Sequence, residues 1–585
     1  MALTFVALAA LSWRKWPDPL IDFGQQLYIP WRLSHGAILY QDIMYLHGCL
    51  SVCYHALLFK LFGTSLNVIL ASNFLILIFL LLLVYRLFLK SADAWTATTA
   101  GLALMVLAFG QFLDVGNYNY ICPYSHEALH GIVLAVVMIA SLSKWLQTGQ
   151  KLPMVAAGAC LGLVWLTKPE IFVGAAGPFA FGFGLRWRQV PFVELARSLL
   201  LALFSSLIPL AGFFIYFRSE TNVTDSFRAL MGAWLPVLDS PSLHNSYYQK
   251  VMGLDAPWFH IGQALIEFGG LAAIVGLFAW RLTRPALKAL ECVIIFAMAG
   301  GVSINYNWQS SGHALPLLLL ATAFLWWREW RRNSEFRIQN SEFGIMWLAF
   351  SFAMLAKMGF NPRISHYGVF LAMPAFLSAI YLLLHLLPRF LERFGLATKT
   401  FRVAILILLL AGLARLTIQS ALFYKDKDFT LGSGSDRIVT YNPKIDPTGA
   451  DMASAVGWIE THTAPTNTLA VLPEGVMLNY LMRRDNPTPY VVFAFEVWAF
   501  GEHNMLAAYE KNPPVYIVLI QRDSSEYGVP YFGLQKGYGF DMMQWVRRNY
   551  QPVELIGSEP LRSGAFGIEI LKRLPLGAPA KQKMD

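Results

Sequence analysis

The sequence predicts a polytopic α-helical membrane protein that ends in a soluble α/β domain. Of its 585 residues, 56% are apolar and only 14% are charged, and the mean hydropathy is +0.48. Long apolar runs recur through residues 1–424, whereas residues 425–585 alternate short apolar segments with polar ones. Because about 20 apolar residues in a helix cross a bilayer, the first part predicts a transmembrane domain of about 13 spans.

The predicted spans follow one another from the first residue to Leu422. The first, Met1–Trp13, is short for a span, and several later runs are also short, so they need a thin bilayer or added loop residues. The other predicted spans are Leu66–Tyr85, Trp95–Leu113, Leu129–Leu146, Pro153–Leu166, Ile171–Gly184, Ser198–Phe217, Ile261–Trp280, Glu291–Ser303, His313–Trp327, Ile345–Ala356, Val369–Leu387 and Val403–Leu422.

The distribution of Lys and Arg predicts how these spans are oriented. The net charge is +9, and the excess lies entirely before Lys425, so it is a topology signal and needs no nucleic-acid partner. With the N-terminus in the cytoplasm, the inner loops hold twice as many Lys and Arg as the outer loops. This orientation places the outer loop 14–63 and residues 425–585 outside the cytoplasm. Five scattered cysteines in apolar runs predict no disulfide framework.

The outer loop 14–63 is the most unusual polar stretch. Two of its carboxylates, Asp22 and Asp42, are well separated in sequence, with Arg32 and His35 between them. Polar groups packed beside a membrane span are costly, so we expect them to have a function, and this loop predicts an active site. Each carboxylate also has a simpler explanation: Asp22 as a solvated loop charge, and Asp42 as the cap of the following helix.

Further polar groups face outward in this topology. The cations in later outer loops are Lys168, Lys357, Arg363 and His366, and the additional acidic candidates are Asp114, Glu127 and Glu170. A carboxylate can take the proton of an attacking hydroxyl, and cations can hold a departing phosphate. Carboxylates in the first part of the chain and cations in the later outer loops therefore predict the transfer of a sugar from a phosphate-linked donor. A lysine that snorkels from a helix end is the simpler explanation of Lys168.

Residues 425–585 are long enough for a small α/β domain. The predicted strands are Leu469–Leu472, Val515–Ile520 and Phe566–Leu571, and the predicted helices are Met452–His462, Gly475–Met482 and Asp541–Asn549. The turn Pro473–Glu474–Gly475 lies between a strand and a helix. It is a candidate contact for the acceptor, although a plain strand-to-helix turn explains it as well.

Motif searches exclude some classes and favour one family. No HExxH, paired CxxC, Walker loop or GxSxG motif occurs, so metalloprotease, NTPase and serine-hydrolase functions lack their residues. The informative segments are GAILYQD at Gly36–Asp42, HGCL at His47–Leu50, LFG at Leu61–Gly63, GLVWLTKPE at Gly162–Glu170 and NPRISHYG at Asn361–Gly368. Together with Asp22 they resemble the GT-C superfamily of polyprenyl-phosphate-sugar-dependent glycosyltransferases, especially the protein O-mannosyltransferase and aminoarabinose transferase group.

This resemblance implies a GT-C-like fold and roles for the outward-facing residues. Asp22 would be the base or would orient the acceptor, and Asp42 would support the loop. The donor phosphate would be bound by Lys168, Arg363 and His366, with Lys357 as a further cation. The family inverts the configuration of the sugar carbon. Some branches use a divalent metal, which Asp22 with Asp114 or Glu127 could ligate, but the prediction here is no metal and no other cofactor.

The sequence therefore predicts an inverting glycosyltransferase on the outer face of a bacterial inner membrane. It would move a hexose or pentose from a polyprenyl-phosphate donor to a lipid, glycan or protein of the cell envelope. The alternative is a transporter or flippase of an amphipathic lipid-linked substrate, although the sequence lacks the internal repeats typical of transporters. A scaffold with a degenerate transferase fold is a third interpretation, because Cys49 replaces the family's usual Pro. Phe23 stands where many relatives have Glu, a departure that concerns the acceptor and the base.

Overall fold

The computed structural model describes residues 1–187, 190–238, 246–283, 289–332 and 334–575. The helices up to residue 425 are α1 (Ala2–Leu11), α2 (Phe23–Ser34), α3 (Cys49–Phe62), α4 (Leu66–Ser91), α5 (Ala94–Phe109), α6 (His126–Thr148), α7 (Lys151–Trp165), α8 (Pro169–Arg186), α9 (Phe192–Glu220), α10 (Val223–Leu230), α11 (Leu235–Leu238), α12 (Ser246–Val251), α13 (Pro257–Leu282), α14 (Ala289–Asn305), α15 (Leu315–Arg332), α16 (Ser334–Ala356), α17 (Gly368–Leu371), α18 (Met373–Tyr381), α19 (Leu387–Glu392) and α20 (Lys399–Lys425).

Length and apolar composition identify the helices that can cross a membrane. Among the described residues, α4, α6, α9, α13, α20 and the composite helix Gly368–Glu392 are long and apolar enough. The helices α1, α3, α5, α7 and α14 are apolar but shorter. The most apolar stretch of the composite helix is wholly buried, whereas only 11% of the corresponding stretch is buried in α9 and in α13, as in helices that face lipid. The predicted polytopic α-helical class is confirmed, and the predicted number of spans stays a prediction.

The part of the chain after α20, described to residue 575, combines two sheets with short helices, and we call it the C-terminal domain. Its elements are β1 (Lys427–Leu431), β2 (Ile438–Tyr441), α21 (Thr448–His462), β3 (Leu469–Leu472), α22 (Met477–Met482), α23 (Glu496–Phe500), α24 (Glu502–Lys511), β4 (Tyr516–Ile520), α25 (Phe540–Asn549), β5 (Tyr550–Gly557) and β6 (Gly567–Arg573). β1 and β2 form an antiparallel hairpin. The larger sheet has the order β3-β4-β6-β5, in which only β3 and β4 run parallel.

Burial explains which of these strands the sequence predicts. β3 and β4 are buried along their whole length, and such strands read as continuous apolar runs. The strand predicted at Leu469–Leu472 is confirmed, and the other predicted elements of this domain lie within a few residues of α21, α22, β4, α25 and β6. The sequence does not predict β5, because most of its residues are only partly buried or exposed and a bulge at Pro552 and Glu554 interrupts its alternation.

The C-terminal domain lies directly on the outer loop 14–63. The Val439 N–H donates to the Arg14 carbonyl at 2.9 Å, and the Met44 N–H donates to the Pro489 carbonyl at 2.8 Å. Backbone hydrogen bonds of this kind satisfy peptide groups that contact between the two parts removes from water. The loop is therefore held from both its beginning and its second half by residues more than four hundred positions later.

Candidate active site

Asp22 stands in a strained turn just before α2. Its φ and ψ are 56° and −52°, and the Phe23 N–H donates to the Ile21 carbonyl at 2.5 Å, which is the geometry of a γ-turn. Asp18 stabilises this turn, because its carboxylate accepts the N–H groups of Leu20 and Ile21 at 2.9 and 2.8 Å. A residue held in such a sparsely populated conformation costs about 1–3 kcal/mol and is often part of a functional site.

Glu474 of the C-terminal domain accepts a hydrogen bond from this turn. The Asp22 N–H donates to Glu474 Oε1 at 2.8 Å, and Arg522 Nε donates to Glu474 Oε2 at 3.0 Å. Glu474 is only 3% exposed, and a buried carboxylate is tolerated only with such partners. Arg522 also pairs with the partly exposed Glu526 at 2.6 Å. The turn Pro473–Glu474–Gly475, which the sequence indicates as a candidate contact for the acceptor, therefore contacts Asp22.

Three carboxylates, Asp22, Glu474 and Glu496, form what we call the acidic half of the site. Burial raises the pKa of Asp22 well above its ordinary value, and repulsion from Glu474 and Glu496 adds to the rise. Arg522 and Lys168 oppose it. Burial, followed by repulsion from Glu474, raises the pKa of Glu496 to about 7. Carboxylates that share a buried place disfavour one another's ionisation, so the acidic half keeps a proton to higher pH than isolated carboxylates do.

A close helix contact sets Asp22 beside Glu474. A Cβ on Gly24 would lie 2.4 Å from the backbone nitrogen of Met477, which is far inside van der Waals contact. Gly24 is in the first turn of α2, and Met477 is the first residue of α22. The two helix starts can touch only because Gly24 has no side chain, and this contact brings the residues just before each helix together.

A second close contact sets the outer loop beside Lys168. A Cβ on Gly48 would lie 2.1 Å from the Leu166 carbonyl oxygen. The Gly48 N–H donates to the Thr167 carbonyl at 2.8 Å, and the Leu50 N–H donates to the Leu166 carbonyl at 3.1 Å. Residues 48–50 therefore pair with the turn between α7 and α8, and this pairing explains why a glycine precedes α3.

Lys168 and Lys357 share one carboxylate. Glu170 lies 3.9 Å from the Lys168 ammonium and 2.8 Å from the Lys357 ammonium. Burial lowers the pKa of Lys168, and Glu170 acts against this shift. For Lys357 the opposite balance holds: burial lowers its pKa, but attraction to Glu170 outweighs it and raises the value. We call Lys168, Lys357 and Arg363 the cationic half of the site.

Arg363 is a partly buried cation among aromatic neighbours, with Tyr118, Tyr247 and Tyr367 within electrostatic reach. One guanidinium nitrogen lies 3.3 Å from His366 Nδ1, while Arg363 Nε is buried and makes no hydrogen bond. Within the described ranges no carboxylate forms an ion pair with it. Burial, with Arg363 as a second cause, lowers the pKa of His366 to about 3, so His366 is neutral near pH 7. His366 also has a positive φ of 57°, which indicates a second strained backbone position in the site.

A layer of tyrosines connects the two halves. The Lys168 ammonium lies 4.6 Å from the centre of the Tyr124 ring, a cation–π distance. The Tyr118 ring packs against the His366 ring, with centroids 4.4 Å apart and the planes tilted by 40°. Tyr118 and Tyr124 each also lie within electrostatic reach of Asp22. Tyr367 packs against Tyr124 at 5.1 Å. The structure thus brings Asp22, Lys168, Glu170, Lys357, Arg363 and His366 into one region.

Asp42 is placed outside this region. It is exposed, and its carboxylate accepts the Ile38 N–H at 2.8 Å, which closes the turn of the outer loop. The suggestion that Asp42 caps the following helix is wrong, because the N-cap of α3 is Gly48. The hydrogen bond to Ile38 is compatible with the loop-supporting role that the family resemblance implies for Asp42.

Within the described ranges neither Asp114 nor Glu127 makes a hydrogen bond or ion pair with Asp22. Asp114 is exposed and lines a cavity of about 160 Å³ that also contains Asp18. Glu127 is fully buried, and its two oxygens accept hydrogen bonds from the hydroxyls of Tyr45 and Ser125 at 3.0 and 2.8 Å. In the part of the chain that the structure describes, no group of three or more His, Cys, Asp or Glu side chains is arranged to hold a metal ion.

Several residues of the site escape sequence reasoning. Glu496 and Arg522 lie in the C-terminal domain, where the sequence predicts only secondary structure, and no motif marks either of them. Their position follows from the docking of that domain on the outer loop, which no local pattern encodes. Glu474 has a weak signal, since it stands in a Pro-Glu-Gly turn between a strand and a helix. Aromatic richness in the outer loops is the signal for Tyr118 and Tyr124.

Comparisons with known proteins find a likeness of architecture. No family model and no curated protein matches the chain. One similar solved structure is the Archaeoglobus fulgidus oligosaccharyltransferase in complex with Zn and sulfate, at a TM-score of 0.49 and 14% identity over 98% of this chain and 74% of that chain. Another is ArnT from Cupriavidus metallidurans bound to undecaprenyl phosphate, at a TM-score of 0.45 and 14% identity over 97% of both chains.

Proposed function

We propose that this protein is an inverting glycosyltransferase that uses a polyprenyl-phosphate-linked sugar at the outer face of a bacterial inner membrane. In this proposal the C-terminal domain lies outside the cytoplasm. The observation that supports it most is the meeting of the acidic half and the cationic half in one region. Transfer from a phosphate-linked sugar needs a proton acceptor on one side and a stabilised leaving phosphate on the other. The proposal rests on this chain's own side chains.

The charge balance of the cationic half supports an anion site. Glu170 is the one carboxylate within 4 Å of Lys168 and Lys357 among the described residues, and Arg363 has none there. Within ion-pair distance the cationic half therefore holds three cations but one carboxylate, which Lys168 and Lys357 share. Buried charge without a partner is costly, and a phosphate would supply the missing negative charge with strong charge-assisted hydrogen bonds.

An apolar groove beside Arg363 supports a lipid-linked donor. The groove has a volume of about 270 Å³ and lies between α13, α14, α15, α18 and α20. Its wall includes Ile364, the residue that follows Arg363, together with Phe376 and Leu408. Burying apolar chain in such a groove is favourable. In this proposal the end of the polyprenyl tail lies at Ile364, so that its phosphate lies beside Arg363.

The proposed reaction is a single displacement. The acceptor oxygen forms a bond to the sugar carbon while the bond from that carbon to the phosphate oxygen breaks, so the configuration inverts. The acceptor proton moves to the Asp22 carboxylate. The bonding electron pair leaves with the polyprenyl phosphate, whose charge the cationic half stabilises. The raised pKa of Asp22 suits this role, because a base works best when its pKa approaches the working pH.

A cavity beside the acidic half is the proposed acceptor site. It has a volume of about 420 Å³, within the range of about 300–1,000 Å³ for ligand pockets. Its aromatic walls are Tyr40, Tyr45, Phe217, Trp498 and Phe500. Tyr45 and Phe500 also line a much smaller cavity whose wall includes Glu496. The larger cavity therefore shares two wall residues with the small cavity beside Glu496, and the proposal places the acceptor in the larger one.

Mass spectrometry of the cell envelope tests this function. Glycans and polyprenyl-phosphate sugars are compared in cells with the wild-type protein, without it, and with Asp22→Asn. We expect a hexose or pentose to be missing from one envelope component, and its lipid donor to accumulate, both without the protein and with Asp22→Asn. Unchanged glycans with an altered distribution of lipid-linked sugar across the membrane would contradict the proposal and favour a flippase.

A further inference from the structure

The conformation of Asp22 needs a restraint from outside its own loop. Its γ-turn has a positive φ, which an L-residue adopts only when the surrounding structure enforces it. Asp18 fixes Leu20 and Ile21, the two residues before Asp22, but among the described residues it does not accept the Asp22 N–H. The hydrogen bond that the Asp22 N–H makes outside the loop goes to Glu474 Oε1 at 2.8 Å.

Glu474 is itself fixed on both sides. Its second oxygen accepts Arg522 Nε at 3.0 Å, and the side chains of Glu474 and Arg522 are 4% and 10% exposed. The close contact of Gly24 with Met477 sets the distance between the two helix starts. The restraint on Asp22 is therefore a rigid part of the C-terminal domain.

Glu474 also acts on Asp22 through its charge. The charged and titratable groups that face Asp22 are Glu474, Glu496, Arg522, Lys168, Tyr118, Tyr124 and Tyr247. After burial itself, Glu474 makes the largest contribution that raises the pKa of Asp22, and Arg522 and Lys168 oppose it. A negative neighbour favours the protonated carboxyl, so it makes Asp22 a stronger proton acceptor.

We propose that Glu474 is a positioning residue for Asp22. Held by Arg522, it fixes the Asp22 turn through the backbone N–H and strengthens the Asp22 carboxylate as a proton acceptor, so that the C-terminal domain completes the active site. This inference rests on the proposed role of Asp22 as the base. It extends that role by making a domain distant in sequence responsible for both the geometry and the basicity of the residue.

The test measures protonation of Asp22 without relying on activity. The full-length protein in detergent is treated with dicyclohexylcarbodiimide, which modifies protonated carboxyls, over a range of pH. Mass spectrometry then gives the pH midpoint of labelling for the Asp22 peptide. Glu474→Gln keeps an oxygen for the Asp22 N–H but removes the charge. We expect its midpoint to fall by about one pH unit relative to wild type.

Two further variants make the result specific. Arg522→Gln removes the cation that opposes Glu474, so we expect the Asp22 midpoint to rise. Glu526→Gln removes the other carboxylate partner of Arg522, and Glu526 is not among the groups that face Asp22, so we expect little change. Equal midpoints in wild type and Glu474→Gln, or an equal shift in Glu526→Gln, would overturn the proposal. Opposite shifts in Glu474→Gln and Arg522→Gln would support it, since general loosening of the fold cannot produce both.

Transfer kinetics separate positioning from charge. Glu474→Gln retains the hydrogen-bond acceptor and Glu474→Ala does not, so we expect a further loss in kcat of about tenfold or more in the alanine variant, at unchanged donor affinity. Equal kcat in the two variants would overturn the positioning role. A wild-type protein without any transfer activity would overturn the proposed function instead, and the labelling midpoints would still decide whether Glu474 acts on Asp22.

Discussion

The acidic half and the cationic half of the site are assembled in different ways. Asp22 and Glu474 are 452 positions apart in the chain and meet through a hydrogen bond between the outer loop and the C-terminal domain. Lys168 and Lys357 both lie in turns between helices of the transmembrane domain, where Glu170 joins them. The first half therefore depends on how two parts of the chain dock, whereas the second depends on helix packing alone.

This difference implies that the two halves can be damaged separately. A change at the docking interface should alter proton acceptance while phosphate binding stays intact, and a change among the cations should do the reverse. Effects at sites that share no partner are usually additive. The Lys168 ammonium is the link between them, because it lies within electrostatic reach of Asp22 as well as of Glu170.

The largest expected effect comes from removing the proposed base. We expect Asp22→Asn to lower kcat for transfer by about 10²–10⁴-fold, the usual contribution of a general base, while binding of the polyprenyl-phosphate donor stays near the wild-type value. Steady-state kinetics and donor titration on the purified protein give both numbers. Asp42→Asn is the matched control, because Asp42 is exposed and makes only a local hydrogen bond. Near-wild-type kcat in Asp22→Asn would remove the catalytic role.

The sequence predicts the cationic half better than the acidic half, and the reason is physical. Lys168, Lys357 and Arg363 stand at the ends of apolar runs, where a cation in an outer loop is visible against its surroundings. The predicted helices near them agree with α7, α8 and α16 to within several residues, except that α16 begins earlier. The resemblance to known motifs also points to these turns. Their roles stay predictions.

The acidic half depends on information that local patterns do not contain. Asp22 is visible in sequence as an isolated carboxylate after an apolar run. Nothing local indicates that Glu496 and Arg522 lie next to it, because that depends on the missing side chain of Gly24 and on a turn far along the chain. Nor does any pattern predict the positive φ of Asp22, which an aspartate adopts in few contexts.

A smaller effect is expected from Arg363, the cation of this half that has no carboxylate partner among the described residues. Arg363→Ala should weaken donor binding by about 10–100-fold, since a charge-assisted hydrogen bond contributes about 1.5–3 kcal/mol. Lys357→Ala should weaken it less, because Glu170 already neutralises Lys357 at 2.8 Å. Titration with polyprenyl phosphate measures both. Equal losses in the two variants, or none in Arg363→Ala, would contradict the charge balance proposed for the cationic half.

The docking interface can be tested at Gly24. A Cβ at this position would lie 2.4 Å from the Met477 nitrogen, so we expect Gly24→Ala to lower stability by about 1–3 kcal/mol, as overpacking usually does. Transfer should slow while donor affinity is retained, because only the acidic half is displaced. Thermal unfolding measures the loss of stability, and donor titration measures donor affinity.

Gly457→Ala in α21 is the control for Gly24→Ala, since a Cβ at Gly457 would have no atom within 4 Å. A loss of donor affinity in Gly24→Ala would show that the halves are not independent.

The smallest expected effect concerns the pH dependence of stability and involves Glu496. Its pKa is raised from 4.5 to about 7 in the folded protein, by burial and then by Glu474. The folded state thus binds this proton more tightly than the unfolded state, so the resulting stability is fully present below the unfolded value and is lost as the pH rises through about 7. Glu496→Gln removes this titration. The melting temperature of wild type should fall between about pH 5 and about pH 8, and that of Glu496→Gln should fall by a few degrees less.

The control for this prediction is Glu510→Gln, which changes an exposed glutamate of α24 and should keep the wild-type pH dependence. Because Asp22 and Glu474 still titrate, part of the dependence should remain in Glu496→Gln, and an unchanged dependence would mean that Glu496 is not electrostatically part of the acidic half.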